Sequence, residues 1–427
     1  MSDQGWADTV IWWHVYPLGF VGAQPRAAAA DAADAPDLAV QHRLPKLVGW
    51  LDYLLQLGAN GLLLGPVFAS TSHGYDTLDH YRVDPRLGDE GDLRELFDEA
   101  RQRGVRVLLD GVFNHLSADH PVVLRALRQD ASPQDRAWLR WVGEHPRGFE
   151  GNLDLVELDL THPPVQDYVV EVMDYWLLAG ADGWRLDAAY APGAGAWRPI
   201  IERVRERHPH CWILGEVIHG DYLQFVQQSG VDSVTQYELW KAIWSSLNDT
   251  NLHELAWGLK RHAEFCAAFL PQTFIGNHDT TRIATKLTHP AHLGMAIALS
   301  CLLPGVPSVY AGDEQGFTGE KLDQPGGDDA VRPPFPDHPE ELASVGAAVL
   351  REYRQVIHLR RTHPWLATAT ATAREVTNET MTIDLVGAPG PEADRRLTLG
   401  LNLTDEVVEL ETQTGPLAIP AHGWALA

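Results

Sequence analysis

Short apolar segments alternate, over the first three quarters of the chain, with longer segments in which apolar residues recur at helical spacing. Eight short runs are strand candidates: Val10–Val15, Gly61–Leu64, Val105–Asp110, Gly183–Asp187, Trp212–Glu216, Ser233–Tyr237, Thr273–Gly276 and Ser308–Tyr310. Helix candidates lie between them, among them Leu44–Leu57, Asp92–Arg103, Val165–Ala179, Trp197–His208 and His292–Leu303. Helical crossovers join strands in parallel, so eight such repeats predict an α/β protein with a (βα)8 TIM barrel.

Two regions depart from this alternation. Residues 116–159, with a probable helix near Ser132–Val142, read as a short insertion after the third strand. Beyond a long helix predicted from about Glu340 to Arg361, residues 363–427 alternate with a period of two and are rich in Thr, Val and Leu. That pattern predicts a small C-terminal antiparallel β-domain. The catalytic barrel would then comprise residues 1–115 and 160–362.

Composition and charge restrict the possible partners. The 427 residues include 45% hydrophobic and 21% charged residues, as expected of a globular chain with a substantial core. A formal net charge of −25 repels phosphate backbones and anionic lipid surfaces, so neither nucleic acid nor membrane is expected as a partner. Fifteen tryptophans tilt the expectation slightly towards carbohydrate, because aromatic faces suit the apolar faces of sugar rings.

The cysteines and the N-terminus bear on compartment. Cys211, Cys266 and Cys301 are far apart and odd in number, which argues against a disulfide framework and against a cysteine metal site. The first residues lack a basic stretch followed by an apolar one, and no run of 18 apolar residues occurs in the sequence. These features lead us to expect a cytoplasmic enzyme.

Polar residues follow several of the predicted strands, where a (βα)8 barrel carries its active site. They are Asp110, Asn114 and His115 after strand three, Arg185 and Asp187 on strand four, Glu216 after strand five, and Asn277, His278 and Asp279 after strand seven. A single aspartate at a strand end is often only a helix N-cap. Four carboxylates, two histidines and an arginine converging on one mouth indicate a catalytic site instead.

Two of these carboxylates have the placement that glycoside hydrolysis requires. Retaining enzymes hold a nucleophile and an acid/base carboxyl about 5 to 5.5 Å apart, and adjacent strands four and five could supply that pair. Arg185 lies two residues before Asp187 and so on the same face of the strand, where it would keep Asp187 ionised. No basic residue is next to Glu216 in sequence, and we expect neighbouring carboxylates to raise its pKa, as suits an acid.

Five segments carry a family resemblance. GVRVLLDGVFNH, ADGWRLDAA, LGEV and FIGNHD, in this order, closely resemble the four sequence signatures of the α-amylase family, glycoside hydrolase family 13. HGYDTLDHYRVDPRLG resembles that family's second βα loop, and the stretch from FEGNLDLVELDL to GWRLD looks most like the cyclomaltodextrinase and neopullulanase branch. The resemblance implies a retaining α-glycosidase that acts on oligosaccharides or small cyclic or branched α-glucans.

The resemblance also implies residue roles. It makes Asp187 the nucleophile, Glu216 the general acid/base and Asp279 the carboxylate that binds sugar hydroxyls and stabilises the transition state. The substrate-binding residues that it implies are Tyr75, Asp110, His115, Arg185, His278 and, on a looser match in GGDDAVRPPF, Asp329 and Arg332. Ala188 resembles members that prefer α-1,4 over α-1,6 bonds.

The chain departs from the family in two places. Many amylases follow the nucleophile with a Lys-His pair that helps to hold calcium, but Tyr190 and Ala191 occupy those positions here. Asn114 matches another calcium ligand, yet hard cations need several oxygens, so we expect no cofactor and no required metal. The branch commonly carries an N-terminal β-domain that helps form dimers, whereas strand one here starts near Val10, which leaves monomer and homodimer both open.

Three other functions fit parts of the pattern. A transglycosylase or sugar isomerase of the same family would use the same carboxylates and differ in how its acceptor site excludes water. A catalytically inactive carbohydrate-binding relative is disfavoured by the intact set of Asp187, Glu216 and Asp279. A metal-dependent barrel hydrolase is disfavoured because the sequence has no HExxH motif.

Overall fold

The chain folds around eight parallel strands. A computed structural model describes residues 5–23, 39–324, 326–413 and 415–427. The strands are β1 (Trp12–Val15), β2 (Gly61–Leu64), β3 (Arg106–Gly111), β4 (Gly183–Leu186), β5 (Trp212–Gly215), β6 (Ser233–Val234), β7 (Gln272–Thr273) and β8 (Val306–Tyr310). They pair in the order β6-β5-β4-β3-β2-β1-β8-β7, and a parallel bridge from Thr235 to Gln272 joins the two ends. The predicted (βα)8 barrel is confirmed.

Helices connect successive strands on the outside. The longer ones are Leu51–Leu57, Glu90–Gln102, Pro163–Ala179, Ala194–Arg207, Tyr222–Ser229, Tyr237–Asp249, Leu252–Cys266, Leu293–Leu302 and Ala347–Thr362. Shorter helices are Pro17–Phe20, Leu44–Val48, Pro121–Ala126, Pro133–Arg136 and Ile283–Lys286. The local sequence determines several helix ends. Asp89 and Asp92 form a capping box at the start of Glu90–Gln102, and Gly58, with a φ of 96°, ends the helix Leu51–Leu57. None of the described helices is long and apolar enough to cross a bilayer.

Strand periodicity divides the apolar core in two. Alternate residues of a strand face opposite sides, so Trp13, Leu62 and Leu109 face the helices and belong to the large outer core. Trp12, Leu63 and Leu108 point into the barrel and form a smaller apolar cluster with Trp212 and Leu214. Further along, the inward positions turn polar, so the barrel has an apolar base beneath a polar mouth.

Several predicted boundaries differ from the structure. The helix expected over 44–57 breaks at Gly49 and Trp50, and the long helix begins at Ala347 because 339–346 forms two 3-10 turns. The helix expected over 132–142 is a single turn, Pro133–Arg136, and Trp141–Val142 pairs instead with His145–Pro146. Strand six ends early because Tyr237 already begins the next helix.

Antiparallel strands lie outside the barrel in three places: the loop after β2, the insertion after β3 and the C-terminal region. After β3, His115–Ser117, Gly148–Phe149 and Asn152–Glu157 form a three-stranded sheet, and Phe68–Ser70 pairs with Thr77–Val83 in a hairpin after β2. The C-terminal strands are β9 (Thr370–Arg374), β10 (Thr380–Val386), β11 (Arg396–Asn402), β12 (Val408–Thr412), β13 (Gly415–Ile419) and β14 (Gly423–Leu426). β9, β10, β11 and β14 form one sheet, and β12 pairs with β13. The insertion and the C-terminal β-sheet of the predicted fold class are confirmed, whereas the residue boundaries of the three domains stay a prediction.

Candidate active site

The polar mouth of the barrel is built by strand parity. On β3 and β4 the inward positions run from Leu108 to Asp110 and from Gly183 through Arg185 to Asp187, and Arg185 pairs in register with Asp110. On β5 the inward series from Trp212 through Leu214 ends at Glu216. The three carboxylates are at most 6% exposed. Two-residue spacing on adjacent strands therefore delivers all of them to one place.

Arg185 is the centre of this cluster. Its Nη1 lies 2.7 Å from both carboxylate oxygens of Asp110 and 3.4 Å from Oδ1 of Asp187. Its Nη2 lies 2.7 Å from Oε1 of Glu216. Glu216 has no basic residue next to it in sequence, yet it contacts Arg185 in the fold, because side chains on adjacent strands meet although they are distant in sequence. Arg185 contacts Asp110 and Glu216 more closely than Asp187.

Glu216 is also held by neutral donors. The backbone N–H of Ala188 donates to Oε2 at 3.0 Å, and the Tyr237 hydroxyl donates to Oε1 at 3.3 Å. The side-chain amide of Asn277 donates in turn to the Tyr237 hydroxyl at 2.8 Å. Ala188 has a φ of 44°, which is uncommon for a residue other than glycine and turns its N–H towards Glu216. Such strain is characteristic of functional sites.

The surroundings of Asp187 disfavour the ionised form of its carboxyl group. Burial, together with the nearby Glu216 carboxylate, raises the pKa of Asp187 well above its usual range, and Arg185 only partly opposes this. The environment of Asp187 in the free protein therefore opposes its ionisation, contrary to the expectation that Arg185 would keep it ionised.

Asp279 is stabilised in its ionised form. Its Oδ1 accepts from Arg332 at 2.9 Å and its Oδ2 lies 3.0 Å from Nε2 of His278. Burial alone would raise the pKa of Asp279, but His278 and the two arginines outweigh it and hold that pKa well below the usual range. A carboxylate that stays charged beside a sugar is a strong hydrogen-bond acceptor for hydroxyl groups.

Aromatic rings line the floor of the mouth. The rings of Tyr75 and Tyr16 each lie nearly parallel to the ring of His278, with centroids 5.4 and 5.8 Å away, and the Tyr75 hydroxyl donates to Asp110 at 3.0 Å. His115 contacts the carbonyl of Tyr75 at 3.0 Å, and burial lowers the pKa of His115 to about 4, so the ring is neutral at pH 7. Phe149 of the insertion stacks on His115 at 4.6 Å.

The loop after β8 reaches the same site with one of its two predicted residues. Arg332 contacts Asp279, donates to the carbonyl of His278 at 3.0 Å and lies 4.6 Å from the Tyr16 ring. The structure does not bring Asp329 to this cluster, since its side chain is exposed and Asp328 binds Arg332 instead at 3.0 Å. The other predicted residues, Tyr75, Asp110, His115, Arg185, Asp187, Glu216, His278 and Asp279, all lie at the mouth.

The residues around Asn114 do not fit a calcium ion. Its Oδ1 is buried without a hydrogen-bond partner, which is the one sign of an open ligand position, but its Nδ2 faces His115 at 3.2 Å. Calcium takes six to eight oxygen ligands. The groups of three or more His, Cys, Asp or Glu that the described residues offer as metal ligands lie at His289, His292 and His422 and at His42, Asp89 and Asp92, both away from the mouth.

Several residues at the mouth were missed by sequence reasoning. Tyr16 follows β1 and Tyr237 follows β6, so applying the strand-end rule to all eight strands would have found both. Asp328, which binds Arg332, is next in sequence to Asp329, the residue that the family resemblance implied. Phe149 and Glu150, whose carboxylate accepts from the Tyr190 hydroxyl at 2.8 Å, come from the insertion, where no periodicity shows which side chains face the barrel.

Comparison with known proteins places the chain in a family. The family model for the alpha amylase catalytic domain matches residues 44–153 and 149–354, well over half of the sequence. The chain belongs to the alpha-amylase family. The predicted membership and the glycoside hydrolase class of this family are therefore confirmed.

Individual relatives are similar over most of the chain. A cyclomaltodextrinase of a Bacillus species is 28% identical over 86% of this chain and 68% of its own length. A cyclomaltodextrinase of Geobacillus thermopakistaniensis is 30% identical over 74% and 57%. The ligand-free structure of a cyclic α-maltosyl-(1→6)-maltose hydrolase from Arthrobacter globiformis superposes with a TM-score of 0.82 at 26% identity, covering 99% of both chains. Several curated relatives are thus considerably longer than the region they share with this amylase-family chain.

Proposed function

We propose that this protein is a retaining α-glycosidase that hydrolyses α-1,4-glucosidic bonds in malto-oligosaccharides or in small cyclic or branched α-glucans. The observation that carries the proposal is the pair Asp187 and Glu216 on one guanidinium, that of Arg185, with Ala188 next to Asp187 donating directly to Glu216. This arrangement favours the short carboxyl separation of retaining enzymes, about 5 to 5.5 Å, over the wider gap that an inverting enzyme needs for water.

The proposed mechanism is a double displacement. Asp187 attacks the anomeric carbon while Glu216 donates a proton to the departing oxygen, and Glu216 then takes a proton from the water that releases the sugar. The hydrogen bonds from Ala188 and Tyr237 aim the Glu216 carboxyl, and the ionised Asp279 binds sugar hydroxyls beside the reacting carbon. The first step requires Asp187 in its ionised form and a proton on Glu216.

Further residues would hold the substrate. We assign sugar contacts at the cleaved bond to Tyr75, His115 and His278, with Asp110 and Arg185 organising the carboxylates from beneath. Because the residues near Asn114 do not offer a calcium ligand set, we propose that turnover needs neither a metal nor another cofactor. Cytoplasmic location and a monomeric or homodimeric state also stay predictions.

Product analysis tests the function. The chain would be incubated with maltotriose, panose, α- and β-cyclodextrin, pullulan, sucrose and trehalose, with products followed by chromatography and proton NMR. We expect smaller α-glucans whose new reducing ends are initially in the α configuration. Initial β products would contradict the retaining mechanism, longer or rearranged products would identify a transglycosylase or isomerase, and no turnover would favour a binding protein.

Replacing Arg332 tests how Asp279 is positioned. Arg332→Ala removes the contacts to Asp279 and to the His278 carbonyl, so we expect kcat/KM for the preferred glucan to fall by about 10²-fold through misplacement of Asp279. Asp329→Ala, three residues away and exposed, is the matched control and should retain wild-type kinetics. Equal losses in the two variants would show that the loop acts as a whole rather than through Arg332.

A further inference from the structure

Three histidines meet where the barrel contacts the C-terminal sheet. His289 and His292 lie immediately before the helix Leu293–Leu302, and His422 lies in the turn between β13 and β14. One ring nitrogen from each lies within 4.8 Å of one from each of the others. This His cluster, defined as His289, His292 and His422, is separate from the barrel mouth and has no part in the proposed reaction.

Local structure brings the first two histidines together. Pro290–His292 is a 3-10 turn closed by a hydrogen bond from the His292 N–H to the His289 carbonyl at 3.0 Å. Residues three apart eclipse one another in a 3-10 turn, so the two rings stack with centroids 4.6 Å apart. The sequence His-Pro-Ala-His thus presents two imidazoles on one side.

The third histidine is held in an unusual conformation. His422 has a φ of 46°, in the left-handed region that is costly for residues other than glycine. Its backbone N–H donates to the Thr404 carbonyl at 3.1 Å, and its ring stacks on that of His289 at 4.2 Å. A glycine would relieve this strain, so a histidine here indicates a use for the imidazole.

The outer ring nitrogens of two members are already occupied. Nδ1 of His292 lies 3.1 Å from the Leu247 carbonyl, which can only accept, so Nδ1 carries the hydrogen. Nε2 of His422 lies 2.8 Å from the Asp405 carboxylate and carries the hydrogen there. In neutral rings the inner nitrogens, Nε2 of His292 and Nδ1 of His422, are therefore both acceptors.

These two acceptors face each other at 3.2 Å. No hydrogen is available between them unless one ring is protonated, whereas a cation between them would satisfy both lone pairs. Two imidazole nitrogens on one tetrahedral zinc ion are about 3.3 Å apart, given Zn–N distances of ~2.0–2.1 Å.

We propose that His289, His292 and His422 bind a zinc ion that joins the C-terminal sheet to the barrel. Imidazole nitrogens suit zinc, and three histidines with water in the fourth position satisfy its tetrahedral geometry. Asp405 and the Leu247 carbonyl are the outer partners that orient metal-binding histidines. The exposed position of His289 gives the ion a route from solvent.

Zinc titration tests the site directly. The untagged full-length chain, freed of metal with EDTA and dialysed, would be titrated with zinc chloride against a chromophoric chelator. We expect one ion per chain in the wild type, none in His289→Ala or His422→Ala, and one in the control His253→Ala, whose exposed histidine lies outside the cluster. Binding by the wild type no tighter than by His422→Ala would overturn the proposal.

Two further measurements guard against misfolded variants. Asp405→Asn alters only a side chain that is 96% exposed, so it should fold normally and yet bind zinc about 10- to 100-fold more weakly. Zinc should also raise the melting temperature of the wild type and of His253→Ala but not that of His289→Ala, because only a native site links binding to stability. Unchanged affinity in Asp405→Asn, or equal zinc stabilisation of His289→Ala, would count against the site.

Discussion

Asp187→Asn is expected to reduce kcat on the preferred α-glucan by on the order of 10⁴- to 10⁶-fold while raising the melting temperature at neutral pH. The loss of rate follows from removing the nucleophile of the proposed double displacement, since residues that form the covalent intermediate contribute on this scale. The gain in stability follows from the environment of the carboxylate, which burial and Glu216 make unfavourable for charge.

The sign of the stability effect can be worked out from the raised pKa. Folding lifts the pKa of Asp187 above its unfolded value, so this carboxyl group lowers the stability of the fold at neutral pH. The cost diminishes as the pH falls through the folded pKa and disappears only below the unfolded pKa. An asparagine has no charge and removes the cost. The melting temperatures of wild type and Asp187→Asn should therefore differ at pH 7 and converge on acidification.

The control for this experiment is a carboxylate outside the cluster. Asp329→Asn changes an exposed side chain on a neighbouring loop and should leave both rate and melting temperature unchanged. The acid limb of kcat/KM in the wild type should lie above the usual range for an aspartate, because activity is lost as the pH falls through the raised pKa of Asp187. Turnover by Asp187→Asn within tenfold of wild type would remove Asp187 from the mechanism.

The contacts of Arg185 show which features of the site the sequence predicts and which it does not. Two-residue spacing was enough to place Arg185 and Asp187 on one face of a strand, and strand ends were enough to bring Asp110 and Glu216 to the same mouth. Which carboxylates the guanidinium contacts depends on distances between strands, and these favour Asp110 and Glu216 at 2.7 Å. The pattern therefore predicts the residues of the cluster but not which carboxylates Arg185 contacts most closely.

The strands of the barrel and those of the insertion differ in how well the sequence predicts them. Barrel strands are buried on both faces and short, so their apolar runs stand out, and the predicted strand positions agree with the structure to within a few residues. In the insertion, Trp141–Val142 pairs with His145–Pro146 in a two-residue hairpin. Strands this short show no amphipathic periodicity in the sequence from which the hairpin could be predicted. The His cluster is likewise only partly visible in the sequence. His289 and His292 are close together in His-Pro-Ala-His, but only folding brings His422 to them.

Glu216→Ala is expected to reduce kcat/KM on maltotriose by about 10²- to 10⁴-fold, the usual contribution of a positioned general acid. The loss should be much smaller for cleavage of α-maltosyl fluoride, because fluoride departs without needing a proton. The second step still lacks its base, so the glycosyl-enzyme on Asp187 should accumulate and appear as a burst of released fluoride. Comparing the two substrates thus separates loss of the acid from general damage to the site.

Azide identifies the roles of the two carboxylates by stereochemistry. Azide is a nucleophile that needs no base, so in Glu216→Ala it should attack the intermediate on Asp187 and, after two inversions, release α-maltosyl azide. In Asp187→Gly it should occupy the space of the missing carboxylate and attack the substrate once, giving the β-azide with Glu216 still acting as the acid. The anomeric coupling in proton NMR distinguishes the products, and β-azide from Glu216→Ala would mean that Glu216, which Arg185 contacts at 2.7 Å, is the nucleophile instead.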